Sequence, residues 1–315
     1  MSKFKELLEA SIKSRDTEEW IDIYLTRPIG LAFALIGKRL GIHPNAVTVL
    51  SMVLGVASAR MFYHTDVRHN LMGVVLLFCA NICDSADGQL ARLTGKKTLV
   101  GRVLDGLAGD LWFVCIYTAI CLRLFWQDVP GMDAPWTIWI FVLGFLSGIM
   151  SHSPQASLSD YYRQIHLFFL KGDAGSELDD YRSQRAIYES VPRRQWLTKL
   201  FYLNYSNYCK SQERRTPRFQ ALRAAVREAC ERGDMSVERR NEMRSAFLAG
   251  SKPLMRYTNF LSFNSRALLI YITCLAGCPY VYFVIEIVVY NAVYIYMRHR
   301  YEQLCVEIKK TYIDA

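Results

Sequence analysis

Asp84, Asp87, Gly88, Ala91, Arg92, Gly101 and Asp105 form a spaced array in the stretch DSADGQLARLTGKKTLVGRVLDGLAGD, which lies within a hydrophobic, membrane-length part of the chain. Carboxylates near lipid are costly and need a reason. At about 3.6 residues per turn, the first five residues fall at i, i+3, i+4, i+7 and i+8, so a helix places them on one stripe. That stripe holds two acids, two very small residues and one base. A turn containing Gly95, Lys96 and Lys97 follows, and a second helix brings Gly101 and Asp105, one turn apart, onto a stripe of its own. Helices joined so closely are antiparallel neighbours, so their acidic stripes can face each other.

Carboxylates that converge in a partly desolvated place repel one another and take up protons unless a positive charge sits between them. A divalent cation is the simplest such charge. An all-oxygen donor set without His or Cys favours Mg2+, Mn2+ or Ca2+ over zinc. Gly88, Ala91 and Gly101 then serve as absences of side chain that let a bulky phosphate-bearing ligand approach the backbone. Arg92, beside the acids, can hold one of its phosphates.

The spacing resembles the signature of the CDP-alcohol phosphotransferase (CDP-alcohol phosphatidyltransferase) family: Asp, two residues, Asp-Gly, two residues, Ala-Arg, eight residues, Gly, three residues, Asp, three residues, Asp. Asp84, Asp87, Gly88, Ala91, Arg92, Gly101 and Asp105 match in place, while the last acid is displaced: its position is Gly109, and Asp110 follows one residue later. The resemblance covers roughly residues 28 to 163 well and the last two spans only by topology. It implies a donor bound through Gly88, Ala91, Arg92 and Gly101, and two Mg2+ or Mn2+ ions held by Asp84, Asp87, Asp105 and Asp110. It also implies that the final acid, Asp110, deprotonates an acceptor hydroxyl that expels CMP. On a regular helix Asp110 would point about 140° away from Asp105. A one-turn π-bulge between them, eased by Gly106 and Gly109, is therefore expected to return it to the metal side.

Composition agrees with a membrane enzyme. A 315-residue chain that is 52% hydrophobic yet 21% charged reads as lipid spans with sizeable polar parts, neither a pure channel bundle nor a soluble domain. The apolar stretches Ala46 to Tyr63, Leu71 to Cys83, Val103 to Trp126, Trp136 to Met150, Ala267 to Cys278 and Tyr280 to Met297 give an all-α, polytopic membrane protein with six transmembrane helices. Lys and Arg orient these spans. Lys3, Lys5, Lys13, Arg15, Arg27, Lys38 and Arg39 precede the first span, Arg92, Lys96 and Lys97 follow the second, and Arg298, Arg300, Lys309 and Lys310 follow the last. Asp128 to Pro135 has no Lys or Arg. Both termini and the acidic array are therefore expected at the cytoplasmic side, in a bacterial inner membrane, with Trp126, Trp136 and Trp139 as an outer aromatic belt.

Four regions are expected. Residues 1–44 form N-terminal interfacial helices, in which Phe4, Leu7, Leu8, Ile12, Trp20, Ile21 and Tyr24 alternate with charges; a cleavable secretory signal is not expected there. Residues 45–170 form the catalytic membrane core of spans one to four. Residues 171–253 form a helical cytoplasmic insertion, and residues 254–315 hold spans five and six with a cytoplasmic tail. The nine cysteines lack CxxC spacing and read as reduced packing residues.

Ser151 to His166 ends the fourth span with unusual polarity and is the expected second wall of the site, where Arg163, Arg256 and Arg266 suit an acidic acceptor. The favoured reaction moves a phosphatidyl group from CDP-diacylglycerol to a polar alcohol such as inositol phosphate. The other direction carries an ethanolamine or choline headgroup from its CDP ester to diacylglycerol or ceramide. Membrane lipids and a second copy of the chain are further partners; a net charge of +9 without a nucleic-acid motif does not point to DNA or RNA. A divalent-cation transporter also uses acids within spans, but the second span before Asn81 and the third after Trp112 are almost wholly apolar, which leaves no polar path across.

Overall fold

The computed structural model describes residues 3–12, 14–96, 99–172 and 175–314, so Lys13 and Lys97 of the charge pattern lie outside the described residues. In chain order the α-helices are α1 (Lys3–Ser11), α2 (Arg27–Arg39), α3 (Pro44–Phe62), α4 (Val67–Thr94), α5 (Leu99–Leu124), α6 (Ile138–Phe145) and α7 (Ser153–Lys171), followed by α8 (Tyr181–Ser190), α9 (Trp196–Arg215), α10 (Pro217–Arg232), α11 (Val237–Ser251), α12 (Met255–Phe260), α13 (Phe263–Leu275), α14 (Tyr280–Ile285) and α15 (Asn291–Tyr312). Short π-helical segments occur at Asp22–Thr26, Leu146–His152 and Glu286–Tyr290. The described chain is helical throughout its regular elements, as expected.

Four helical stretches are long and apolar enough to cross a membrane: Pro44–Phe62, Val67–Thr94, Leu104–Leu124 and Tyr280–Tyr312. The protein is therefore a multi-pass integral membrane protein. The stretches read as spans four and five differ. α6 has eight residues before the π-helical segment that carries Ser147, Ser151 and His152. α13 has 13 residues and ends before Gly277, which adopts a left-handed φ of 74° ahead of Pro279.

The chain divides into two units, one of Met1–Ser153 with Phe263–Val289 and one of Pro154–Ser262 with Tyr290–Ala315. In the first, local signals set the helix ends. Pro44 starts α3 with the His43 side chain capping the Asn45 N–H. Asp66 caps α4 by accepting from the His69 N–H at 3.1 Å, and Gly95 closes it in the left-handed region. The core gathers Phe62, Leu77, Ala80, Trp112, Ile116 and Ile120 with Ile270, Cys274 and Phe283. Missing side chains let the helices approach: a Cβ at Gly55 would lie 2.0 Å from the Trp112 ring, and one at Gly73 2.8 Å from Phe62. Val49, Val53, Leu71, Val75 and Val114 face outward, as lipid-facing residues must. Trp20 and Tyr24 are also exposed.

A buried polar chain crosses this unit. Arg266 donates from Nε to Glu286 Oε1 at 3.3 Å, both side chains being at most 1% exposed. The Tyr282 hydroxyl donates to Glu286 Oε2 at 3.1 Å, and the Tyr117 hydroxyl lies 2.7 Å from that of Tyr282 and 2.8 Å from His152 Nδ1.

In the second unit the charged 171–253 segment folds together with α7 and α15. Phe169 stacks on Phe247 and Tyr162 on Tyr301, each at 3.8 Å. Gln212 donates to the Ser157 carbonyl at 3.0 Å, and the Arg218 N–H to Glu302 at 2.9 Å. Leu222 is buried but Cys230 is exposed, so the apolar stripe of α10 covers only its first turns. All nine cysteines are free.

The Arg266–Glu286 pair supplies a stability prediction. Glu286→Ala leaves a buried guanidinium without its carboxylate and should destabilise the protein by about 3–5 kcal/mol. Thermal unfolding in detergent measures this, and an unchanged midpoint would contradict the pairing.

Candidate metal centre

α4 presents Asp84 and Asp87 one turn apart, and α5 returns to bring Asp105 to them; one oxygen from each carboxylate lies within 4.8 Å of the others. Asp84 is half-buried, Asp87 buried and Asp105 exposed. At such separations and an effective dielectric of about 20, two full charges repel by roughly 3 kcal/mol. Three ionised acids therefore need a counter-charge. Asp87 adds a second reason, because its Oδ2 is buried without a hydrogen-bond partner, an arrangement that costs about 1–3 kcal/mol when nothing fills it. The Thr48 hydroxyl of α3 faces the same carboxylate. An all-oxygen set with an unfilled buried lone pair fits a hard divalent cation.

The residues expected to admit the donor lie along the same face. A Cβ added to Gly88 would meet only Arg92 Nη1, at 3.5 Å. Its smallness is therefore not required by a neighbouring helix, and the backbone there is open. Ala91 and Gly101 are half-buried. Arg92 is exposed and sits in the combined field of Arg27, Glu18, Asp87 and Asp105. α2 is fastened to the far flank of α4: Gln89 donates to the Arg27 carbonyl at 3.1 Å and Lys38 to the Leu93 carbonyl at 3.0 Å.

The π-bulge expected between Asp105 and Asp110 is not formed. α5 continues as regular α-helix through both residues, because the glycines permit a bulge without demanding one and the regular helix keeps its i to i+4 hydrogen bonds. Asp110 thus stands about 140° around the axis from Asp105. It is exposed and does not join the three gathered acids.

The arginines expected at the acceptor wall are already engaged. Arg266, in the first unit, is held by Glu286. In the second unit Arg163 donates to Asn259 Oδ1 at 2.9 Å, and the exposed Arg256 donates to the Tyr257 hydroxyl at 2.7 Å. His166 is fully buried, with Nδ1 2.8 Å from Ser251 Oγ.

Three residues near the acids carried no signal of their own in the sequence. Asp22, from the π-helical segment, contributes to the field at Asp84 after Asp105 and Asp87. Asn264 at the start of α13 donates to Asp22 Oδ1 at 3.0 Å, and Asn81 donates to Asn264 Oδ1 at 3.5 Å. Asn81, three residues before Asp84, was within reach of a helical-stripe reading; the other two reach the site only through tertiary packing.

Residues 41–161, which include all three acids, match the family model of the CDP-alcohol phosphatidyltransferases. The chain is 28% identical over 114 residues to the bifunctional IPC transferase and DIPP synthase of Aquifex aeolicus (strain VF5), covering 36% of this chain and 24% of that protein. It is 31% identical over 90 residues to the archaetidylinositol phosphate synthase of Pyrococcus horikoshii, covering 28% of this chain and 46% of that protein. The chain thus spans less than half the length of these curated relatives. Residues 41–161, with the three acids inside them, are thus similar to the CDP-alcohol phosphatidyltransferase family.

Proposed function

We propose that this protein transfers a phosphatidyl group from CDP-diacylglycerol to a polar alcohol, most closely an inositol phosphate, and releases CMP. The observation that carries the reading is the convergence of Asp84, Asp87 and Asp105, with a buried Asp87 oxygen left unpartnered. The inositol phosphate acceptor is supported by the name of the Pyrococcus relative, an archaetidylinositol phosphate synthase. Six spans with both termini cytoplasmic belong to the same proposal and rest on the distribution of Lys and Arg.

Asp84, Asp87 and Asp105 would hold two Mg2+ or Mn2+ ions, which when bound supply neutralisation of the donor pyrophosphate and polarisation of the attacked phosphorus. The chain's own groups bind and orient. Gly88 leaves the α4 backbone open to the donor, Ala91 and Gly101 continue that smooth face, and Arg92 offers a fork of N–H donors to a phosphate oxygen. Holding donor and acceptor hydroxyl in line is the main contribution that such a site makes to phosphoryl chemistry.

Purified protein with labelled CDP-diacylglycerol and a panel of inositol phosphate, glycerol phosphate and serine tests the reading. CMP release that requires Mg2+ or Mn2+ and an added alcohol is expected. Cation flux in liposomes without CMP release would contradict it.

Asp87→Ala should abolish Mn2+ binding and lower turnover by a factor of about 10³ or more, while the protein stays folded in detergent. Turnover near wild type at saturating Mg2+ would remove the metal assignment. Gly88→Leu should raise the donor dissociation constant by roughly tenfold or more, since a filled approach path costs at least about 1.4 kcal/mol, and the unfolding midpoint should hold. A fall in stability with unchanged donor affinity would make Gly88 a packing residue instead.

A further inference from the structure

The α5 stripe ends early. One turn beyond Asp105 stands Gly109, and a Cβ built there would meet nothing within 4 Å. The reaction proposed above removes a proton from an alcohol, and a positioned carboxylate is a common acceptor for it. Asp110 points around the helix from the gathered acids.

Another carboxylate reaches this level from the N-terminal segment. Asp22 begins the π-helical turn Asp22–Thr26, a distortion often found where a side chain must be aimed. Its Oδ1 accepts from Thr26 Oγ1 at 2.8 Å and from Asn264 Nδ2 at 3.0 Å. Asn264 in turn accepts from Asn81 at 3.5 Å, and Asn81 lies one turn before Asp84 on the same face of α4. Asn81 lies one turn before Asp84 on α4 and Gly109 one turn past Asp105 on α5, so each extends its own helix's acidic stripe by one turn. Both donors bind Oδ1, which fixes the carboxylate and leaves Oδ2 outside these bonds. Asp22 is not among the acids gathered within 4.8 Å, so it stands beside the ion-holding set and not within it.

We propose that Asp22 supplies the carboxylate that α5 lacks at Gly109 and accepts the proton of the attacking acceptor hydroxyl; this rests on the transferase reading above. The acceptor O–H bond breaks and its proton passes to Asp22 Oδ2. The freed oxygen pair forms the new bond to the donor phosphorus, and the phosphorus–oxygen bond to CMP breaks with its electron pair leaving on CMP. Asp22 returns the proton to water once the products leave.

The test compares wild type, Asp22→Asn and Asp22→Asn/Gly109→Asp for CMP release and for Mn2+ binding by electron paramagnetic resonance. Asp22→Asn should lose about 10²- to 10⁴-fold in kcat with Mn2+ affinity kept. The open space at Gly109 admits the added side chain, and the double variant should regain roughly tenfold or more of the lost turnover. Wild-type turnover in Asp22→Asn, Mn2+ binding lost together with turnover, or no gain in the double variant would each overturn the assignment. A wild-type protein that releases no CMP from any CDP-linked donor contradicts the transferase reading itself, and the role of Asp22 falls with it.

Discussion

Three carboxylates held together beside a lipid phase constrain everything else in the first unit. Asp84 and Asp87 on α4 meet Asp105 of α5, while Gly95 ends α4 in the left-handed region and α2 is bonded to α4 through Gln89. The three carboxylates gather like charges within 4.8 Å, and the buried Asp87 Oδ2 has no hydrogen-bond partner. The bundle around it supplies the rigidity, through glycines at Gly55 and Gly73 that let Trp112 and Phe62 pack against helix backbones. A site placed on rigid helices can hold its charges at close range without collapse.

The buried Arg266–Glu286 pair shows the other way that this fold handles charge. There the two ions pair with each other and Glu286 also accepts from the Tyr282 hydroxyl. Asp84, Asp87 and Asp105 instead gather like charges, the arrangement proposed above to hold a cation.

Much of the site was legible because it is local. Residues at i, i+3, i+4, i+7 and i+8 share a helix face whatever the rest of the protein does, and a short turn forces the next helix back alongside. The displaced acid was not legible in this way. Gly106 and Gly109 permit a bulge, but only the balance of hydrogen bonds along α5 decides, and it favours the regular helix. Asp22 was hidden because its place depends on Asn264, which is 242 residues away in sequence. Arg266 read as a free cation because its partner is buried in a segment that looks purely apolar. The 171–253 segment read as polar because its charged residues outnumber the few apolar ones that are buried, Cys209, Phe219, Leu222, Met243 and Phe247.

The central claim is that Asp84, Asp87 and Asp105 exist to hold divalent cations. Anomalous scattering from crystals soaked in Mn2+ tests it most directly. The account predicts Mn2+ peaks among these three carboxylates, one of them beside Asp87 Oδ2. A lysine or arginine side chain lying among the three acids, with Mn2+ bound elsewhere or not at all, would contradict it.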